Sequence, residues 1–272
     1  MAIKRQVSAD AFFAAHPVFS VEMAARALQR DGARDAVRNR LRYHVKTGRI
    51  RSVTRGIYAV IPTGAEPESF RPDPFLVAVA VRPDAVFSHH SALQLLGAAH
   101  SVWNDCTAYS AGPRLLVHLV GSKVTLHQHP TPLRDGDGPK LGTRTVERRG
   151  VVLRTTGPER TLVEGFRQPR LVGGIEELIN SAGGFTSIEL ALLVKVLERY
   201  SLRRLWAAVG WFLESHAAQF GIEDGDLRPF LENRPRSPLY LVRDSRGGEL
   251  VSRWNLVLPE TFGKGDPDGG ER

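Results

Sequence analysis

Residues 33–60 read ARDAVRNRLRYHVKTGRIRSVTRGIYAV and carry two periodicities in succession. In the first half Val37, Leu41 and Val45 recur every four residues, which predicts a helix from about Ala33 to Thr47 with one buried stripe and a stop at Gly48. At 100° per residue Arg38, Arg42 and Lys46 fall on an adjacent arc, with Asn39 beside them. In the second half, residues 49–60 form two short β-branched stretches around a tight turn at Arg55-Gly56, which predicts a hairpin. One element thus packs on one face and offers guanidinium, ammonium and amide groups on the other, and a basic hairpin follows it.

Upstream, Ser8–Ala15 reads as a short helix with Ser8 as N-cap and Phe12 and Phe13 as anchors. His16-Pro17 stops it, because a residue before proline avoids the helical region. Ser20 opens a second helix with Val21, Ala24, Ala25 and Leu28 at helical spacing, ending at Asp31-Gly32. Three helices and a hairpin in this order are a winged helix-turn-helix, in which the third helix enters the major groove and the wing reaches phosphate or minor groove. The same module also serves as a plain protein-interaction unit, so charge has to separate the two uses.

Between residues 1 and 62 there are twelve Lys and Arg against four acids, a surplus of eight, which equals the net charge of the whole chain. The remainder is neutral, with 25 of each sign. A localised cationic block suits a polyanion, which it binds by releasing counterions. The expected DNA-binding residues are Arg38, Asn39, Arg42, Lys46, Arg49, Arg51 and Arg55. Arg and Asn suit bidentate contacts to guanine and adenine edges, whereas Lys and Ser more often hold phosphates.

The expected fold class is α+β: this winged helix over residues 1–62, then a larger mixed α+β domain over 74–262 with two hairpins and a helical segment. The Pro-rich stretch 63–73 reads as the linker and 263–272 as a flexible tail. Pro74–Val81 and Ser88–Leu96 read as helices; the pattern of the first fits a buried strand equally. Leu115–Val120 with Lys123–His129, and Arg144–Arg148 with Val151–Thr155, read as hairpins. Thr156–Glu159 and Thr186–Glu189 read as capping boxes opening helices to Phe166 and Tyr200. A long helix from Ser201, a helix near Asp226–Leu231 and strands at Leu239–Val242 and Glu249–Leu256 complete the reading.

No catalytic pattern rises above background, so no enzyme, cofactor or metal is expected. His89-His90, His100, His118, His127 and His129 lack ligand spacing and read as helix-surface and hairpin histidines. Glu176, Glu177 and Glu189 have no lysine two positions on, as a nuclease carboxylate–lysine cluster needs, and Glu159 reads as a capping residue. Cys106 is the one cysteine, which excludes an internal disulfide and fits a reducing cytoplasm. The longest apolar stretch, Leu205–Leu213, is far short of the roughly 20 residues of a membrane span, and no apolar segment follows the basic residues of Met1–Val7. A soluble cytoplasmic protein without a membrane partner is expected.

With the winged helix, the strings SHHSAL (88–93), ERTLVE (159–164) and GGIEE (173–177) resemble, in their order, the AbiEi-type antitoxins of bacterial type IV toxin–antitoxin, or abortive-infection, operons. The resemblance runs from about Ser8 to Phe262. It implies an autoregulating transcriptional repressor that binds inverted repeats of double-stranded DNA in its own promoter, and an antitoxin domain that counteracts a co-encoded nucleotidyltransferase-type toxin. It does not carry a stable complex with that toxin, and it assigns antitoxicity to no single residue. A stand-alone winged-helix regulator, a nucleic-acid-modifying enzyme delivered by the winged helix, and a protein that binds the toxin stoichiometrically stay open at this point.

Overall fold

Ser8 caps the first helix by accepting a hydrogen bond from the amide of Ala11 at 3.1 Å, so the chain enters α1 (Ala9–Ala15) where the sequence says it should. The structure, a computed structural model, describes residues 8–28, 34–242 and 247–260. The turn expected at Asp31-Gly32 and the tail from Phe262 lie outside them. After α1 comes an unexpected strand, β1 (Val18–Ser20), followed by α2 (Val21–Leu28), α3 (Arg34–Lys46), β2 (Ile50–Thr54) and β3 (Ile57–Val60). β1 and β2 both pair antiparallel with β3, in the order β1-β3-β2. All three residues of β1 are buried, so no alternation announced it. Ser20 ends β1 and also caps α2, accepting from the Met23 amide at 3.2 Å.

The stripe of α3 differs from expectation at its last member. Val37 and Leu41 are buried, but Val45 faces solvent and His44 takes the inner position. A four-residue step repeated twice overshoots a 3.6-residue turn, so a three-residue step must correct it. Gly48 ends the helix with φ +70°, and the Arg49 amide reaches back to the His44 carbonyl at 3.0 Å.

Chain 63–73 does not separate two bodies. One guanidinium nitrogen of Arg51 donates to the carbonyls of Pro67 and Phe70, both at 3.3 Å. The stretch runs into α4 (Pro74–Val81), capped by Asp73, which packs on β1 and β3 and also on strands of a second sheet. That sheet comprises β4 (Val86–Phe87), β5 (Cys106–Ser110), β6 (Leu115–Leu119), β7 (Ser122–Gln128), β8 (Thr143–Arg148) and β9 (Val151–Thr156), in the order β6-β7-β5-β4-β9-β8. Both expected hairpins are present. β4 and β5 were not expected, since short buried strands without alternation give no period. The first compact unit accordingly covers residues up to 87, 103–129 and 145–154, and winged helix, α4 and sheet belong to it together.

The second unit covers 88–102, 130–144 and 155 onward. It holds α5 (His89–Leu95), α6 (Pro158–Arg167), α7 (Ile175–Ala182), α8 (Leu190–Tyr200), α9 (Arg203–Ser215), α10 (Ala217–Phe220), α11 (Arg228–Glu232) and the small sheet of β10 (Leu239–Tyr240), β11 (Glu249–Val251) and β12 (Leu256–Leu258). The strand expected over Glu249–Leu256 ends at Val251, where a 3-10 turn over Ser252–Trp254 begins, and Asn255 follows at φ +48°. Among the described residues no helix is long and apolar enough to cross a membrane. The architecture is α+β, with a winged helix at its amino-terminal end.

Neither expected capping box forms. Gly157, not Thr156, caps α6, and Thr156 spends its hydroxyl on that of Thr161 at 2.7 Å. Glu159 is fully buried and accepts from the Glu189 amide at 2.9 Å, which commits both glutamates to a tertiary contact and starts α8 at Leu190. The next residue of α6, Arg160, is also fully buried; it donates to Glu164 at 2.8 Å and to the Leu141 carbonyl at 3.0 Å. The Tyr200 hydroxyl donates to the same Glu164 oxygen at 2.7 Å. Burial pushes the Glu164 carboxyl upward, but Arg160, His89 and the Tyr200 hydroxyl together hold it below the ordinary carboxylate value.

A carboxyl lowered in the folded state adds stability above its unfolded value, and that contribution disappears as pH falls through the folded value. Stability of the second unit is therefore expected to decline on acidification below about pH 4.5. Arg160→Met should cost about 3–5 kcal/mol in urea unfolding, because it strands the Glu164 charge in the core. Adding Glu164→Leu to Arg160→Met should restore most of that loss.

Candidate nucleic-acid interface

α2 packs against α3, and the wing is tied to both. The Val21 amide, first of α2, donates to the Gly56 carbonyl at the wing turn at 2.9 Å. Gly56 sits at φ +77°, a conformation the tight turn between Thr54 and Ile57 requires. The turn is therefore held against the start of α2, and Arg55 is carried exposed beside it.

Of the expected contact residues, Arg38, Asn39, Arg42, Lys46, Arg49 and Arg55 are exposed, and Arg51 is half-buried. They do not form one surface. Arg38 and Arg42 from α3 and Arg55 from the wing line a single groove of about 950 Å³, joined by Arg26 of α2. Among the described residues Glu22 is the one acid on its wall. Asn39 stands next to this group: its side-chain oxygen accepts from Arg42 at 3.2 Å, which orients that guanidinium. Lys46, in the last turn of α3, does not line the groove.

Arg49 and Arg51 do not line the groove, and each has a structural partner. Arg49 pairs with Asp10 of α1, and its guanidinium lies 5.2 Å from the Phe13 ring centre, which fastens the strand entrance to the first helix. Arg51 holds chain 67–70, as described above. Arg26 was not among the expected residues, although it lines the same groove. The signal available was its place four residues after Glu22 on the polar side of α2, between the buried Ala24 and Leu28.

His44 lies on the inner face of α3. Its ring meets Phe13 edge-on, 5.0 Å between centres. Burial lowers its pKa, Arg49 and Arg40 lower it further, and Asp10 opposes them weakly. Elsewhere, His89 and His90 are buried rather than on a helix surface, and His90 faces Glu177 at 3.5 Å. His129 is buried beside Tyr109, and Cys106 is buried in β5. Among the described residues no cluster of three or more His, Cys, Asp or Glu is placed to hold a metal ion.

No family model and no curated protein matches the chain. Among solved structures, the chain is similar to the Rv2827c protein of Mycobacterium tuberculosis, with a TM-score of 0.56 and 18% identity over 89% of this chain and 86% of that one. At that identity the likeness is one of fold alone.

A histidine whose pKa is lowered by folding takes up its proton later than the unfolded chain does, so acidification through pH 6.5 costs stability until the folded value is reached. Amide protection of α1 and α3, corrected for intrinsic exchange, should therefore fall between pH 7 and pH 5.5. His44→Gln should flatten that dependence.

Proposed function

We propose that the protein binds duplex DNA through α3 and the wing as a repressor of its own operon. We further propose that it acts as the antitoxin of that operon against a nucleotidyltransferase-type toxin. The observation that carries the DNA-binding half is the convergence of Arg26, Arg38, Arg42 and Arg55 from three elements on one groove. All four side chains are exposed, and each lines the groove. Arg38 and Arg42, four apart on α3, suit guanine edges in the major groove, and Asn39 orients the second of them. Arg55 and Lys46 suit flanking phosphates. The antitoxin half rests on the strings SHHSAL, ERTLVE and GGIEE and on their order.

A fluorescent duplex from the upstream region should bind with an affinity that falls steeply as salt rises. Arg38→Ala and Arg42→Ala should each cost about 1–3 kcal/mol on the preferred sequence and relax specificity. Lys46→Ala should weaken all duplexes alike and reduce the salt slope by about one. Arg51→Ala should leave the slope unchanged. Absence of a footprint at low salt, or wild-type binding by the Arg38/Arg42 double variant, would end this reading. Co-expression with the neighbouring gene tests the other half: growth should recover, and failure to recover leaves a plain regulator.

A further inference from the structure

The groove that gathers the four arginines has a second wall, and that wall is a strand edge. Leu115, Leu116 and Val117 all line it. Successive side chains of a strand point to opposite faces, so three in a row on one wall mean that the strand is presented edge-on. β6 is the outermost strand of its sheet. The pair Leu119 and Ser122 closes a two-residue loop onto β7 and is hydrogen-bonded, so by alternation Val117 and Leu115 are bonded to β7 as well. The amide and carbonyl of Leu116 then point away from the sheet. Lys123, on β7 opposite His118, shows the same alternation: its amide turns from β6 and donates to Asp105 at 3.1 Å. Among the described residues no hydrogen bond reaches the outward groups of Leu116. Its side chain is 41% exposed, and β6 contains no proline, the residue that commonly blunts such an edge.

We infer that this groove receives an extended acidic segment of another polypeptide, which adds to β6 as a strand and sets its carboxylates against Arg26, Arg38, Arg42 and Arg55. Backbone pairing would come from Leu116, and charge selection from the opposite wall. Alternate residues of a strand lie about 6.8 Å apart, close to the rise of about 6 Å between Arg38 and Arg42. A second copy of this chain is the poorer occupant, since it would bring the same guanidiniums face to face. A DNA duplex offers no donors and acceptors for strand addition, though it would compete for the arginines. The inference does not depend on the DNA-binding proposal.

The test is fluorescence anisotropy with a labelled eight-residue peptide of alternating Glu and Thr, and the same peptide N-methylated at alternate amides in either register. The plain peptide should bind, and one N-methylated register should bind at least tenfold more weakly. Arg38→Ala/Arg42→Ala should weaken the plain peptide at least tenfold. Leu116→Pro, which removes only an outward amide, should abolish peptide binding while leaving the melting temperature and duplex binding in place. No binding, equal binding of both N-methylated registers and the plain peptide, or indifference to the arginine substitutions would overturn the inference. So would a concentration-dependent dimer that Leu116→Pro dissolves, which would assign the edge to self-pairing. Should Leu116→Pro unfold, the N-methylated peptides decide alone. Loss of duplex binding with peptide binding retained would sink the DNA-binding proposal and leave this one standing.

Discussion

Phe19 is fully buried in β1, and its ring meets Phe12 at 5.1 Å, Phe13 at 5.6 Å and Tyr58 at 5.9 Å. Those three rings belong to α1 and β3, so one side chain joins the first helix to the central strand of the wing sheet. Aromatic rings at these separations add packing attraction to the area they bury. The helices that carry the groove's arginines are fastened on the same core: Val21, Ala24, Leu28, Val37 and Leu41 complete it. With the interior filled by rings and aliphatics, the polar side of α3 stays turned outward. The cationic surface is in this sense a by-product of how the aromatics are satisfied.

Much of this was legible from the chain, and the failures have a common cause. Helix α1 and its cap, the stop at Gly48, the wing turn at Arg55-Gly56 and both hairpins of the larger sheet follow from local chemistry: capping oxygens, glycine at positive φ, and alternation. β1, β4 and β5 were not legible, because buried segments without alternation have no period to detect. The two misread capping boxes show the converse. Thr156–Glu159 and Thr186–Glu189 have the right spacing, but Glu159 is drawn into the interior by the amide of Glu189. A local pattern loses to a long-range partner, and nothing in either string reports that partner.

The candidate interface divides in the same way. The outward placement of Arg38, Arg42 and Lys46 was legible from helical geometry, since that geometry needs only the spacing of apolar residues, but only the first two line the groove. Arg49 and Arg51 were grouped with them as the basic residues of the wing, and the structure gives each a partner besides: Asp10 of α1 for the first and chain 67–70 for the second. Charge counts cannot separate a cation facing solvent from one closing a turn. Arg26 was hidden for the opposite reason, because its helix looked like a mere brace. Arg160, the bulkiest buried charge, was likewise invisible as such; burial of a guanidinium requires Glu164 and three main-chain carbonyls that lie apart in sequence.

The hydrogen bond from the Val21 amide to the Gly56 carbonyl has a bearing on how this fold can diversify. It welds the wing corner to the brace helix, so neither can be re-angled by drift without disturbing the other. The outward residues of α3 take no part in that weld. Substitutions on that outward face can therefore accumulate one at a time at small cost to the scaffold, whereas a new angle between corner and helix would require several coordinated steps.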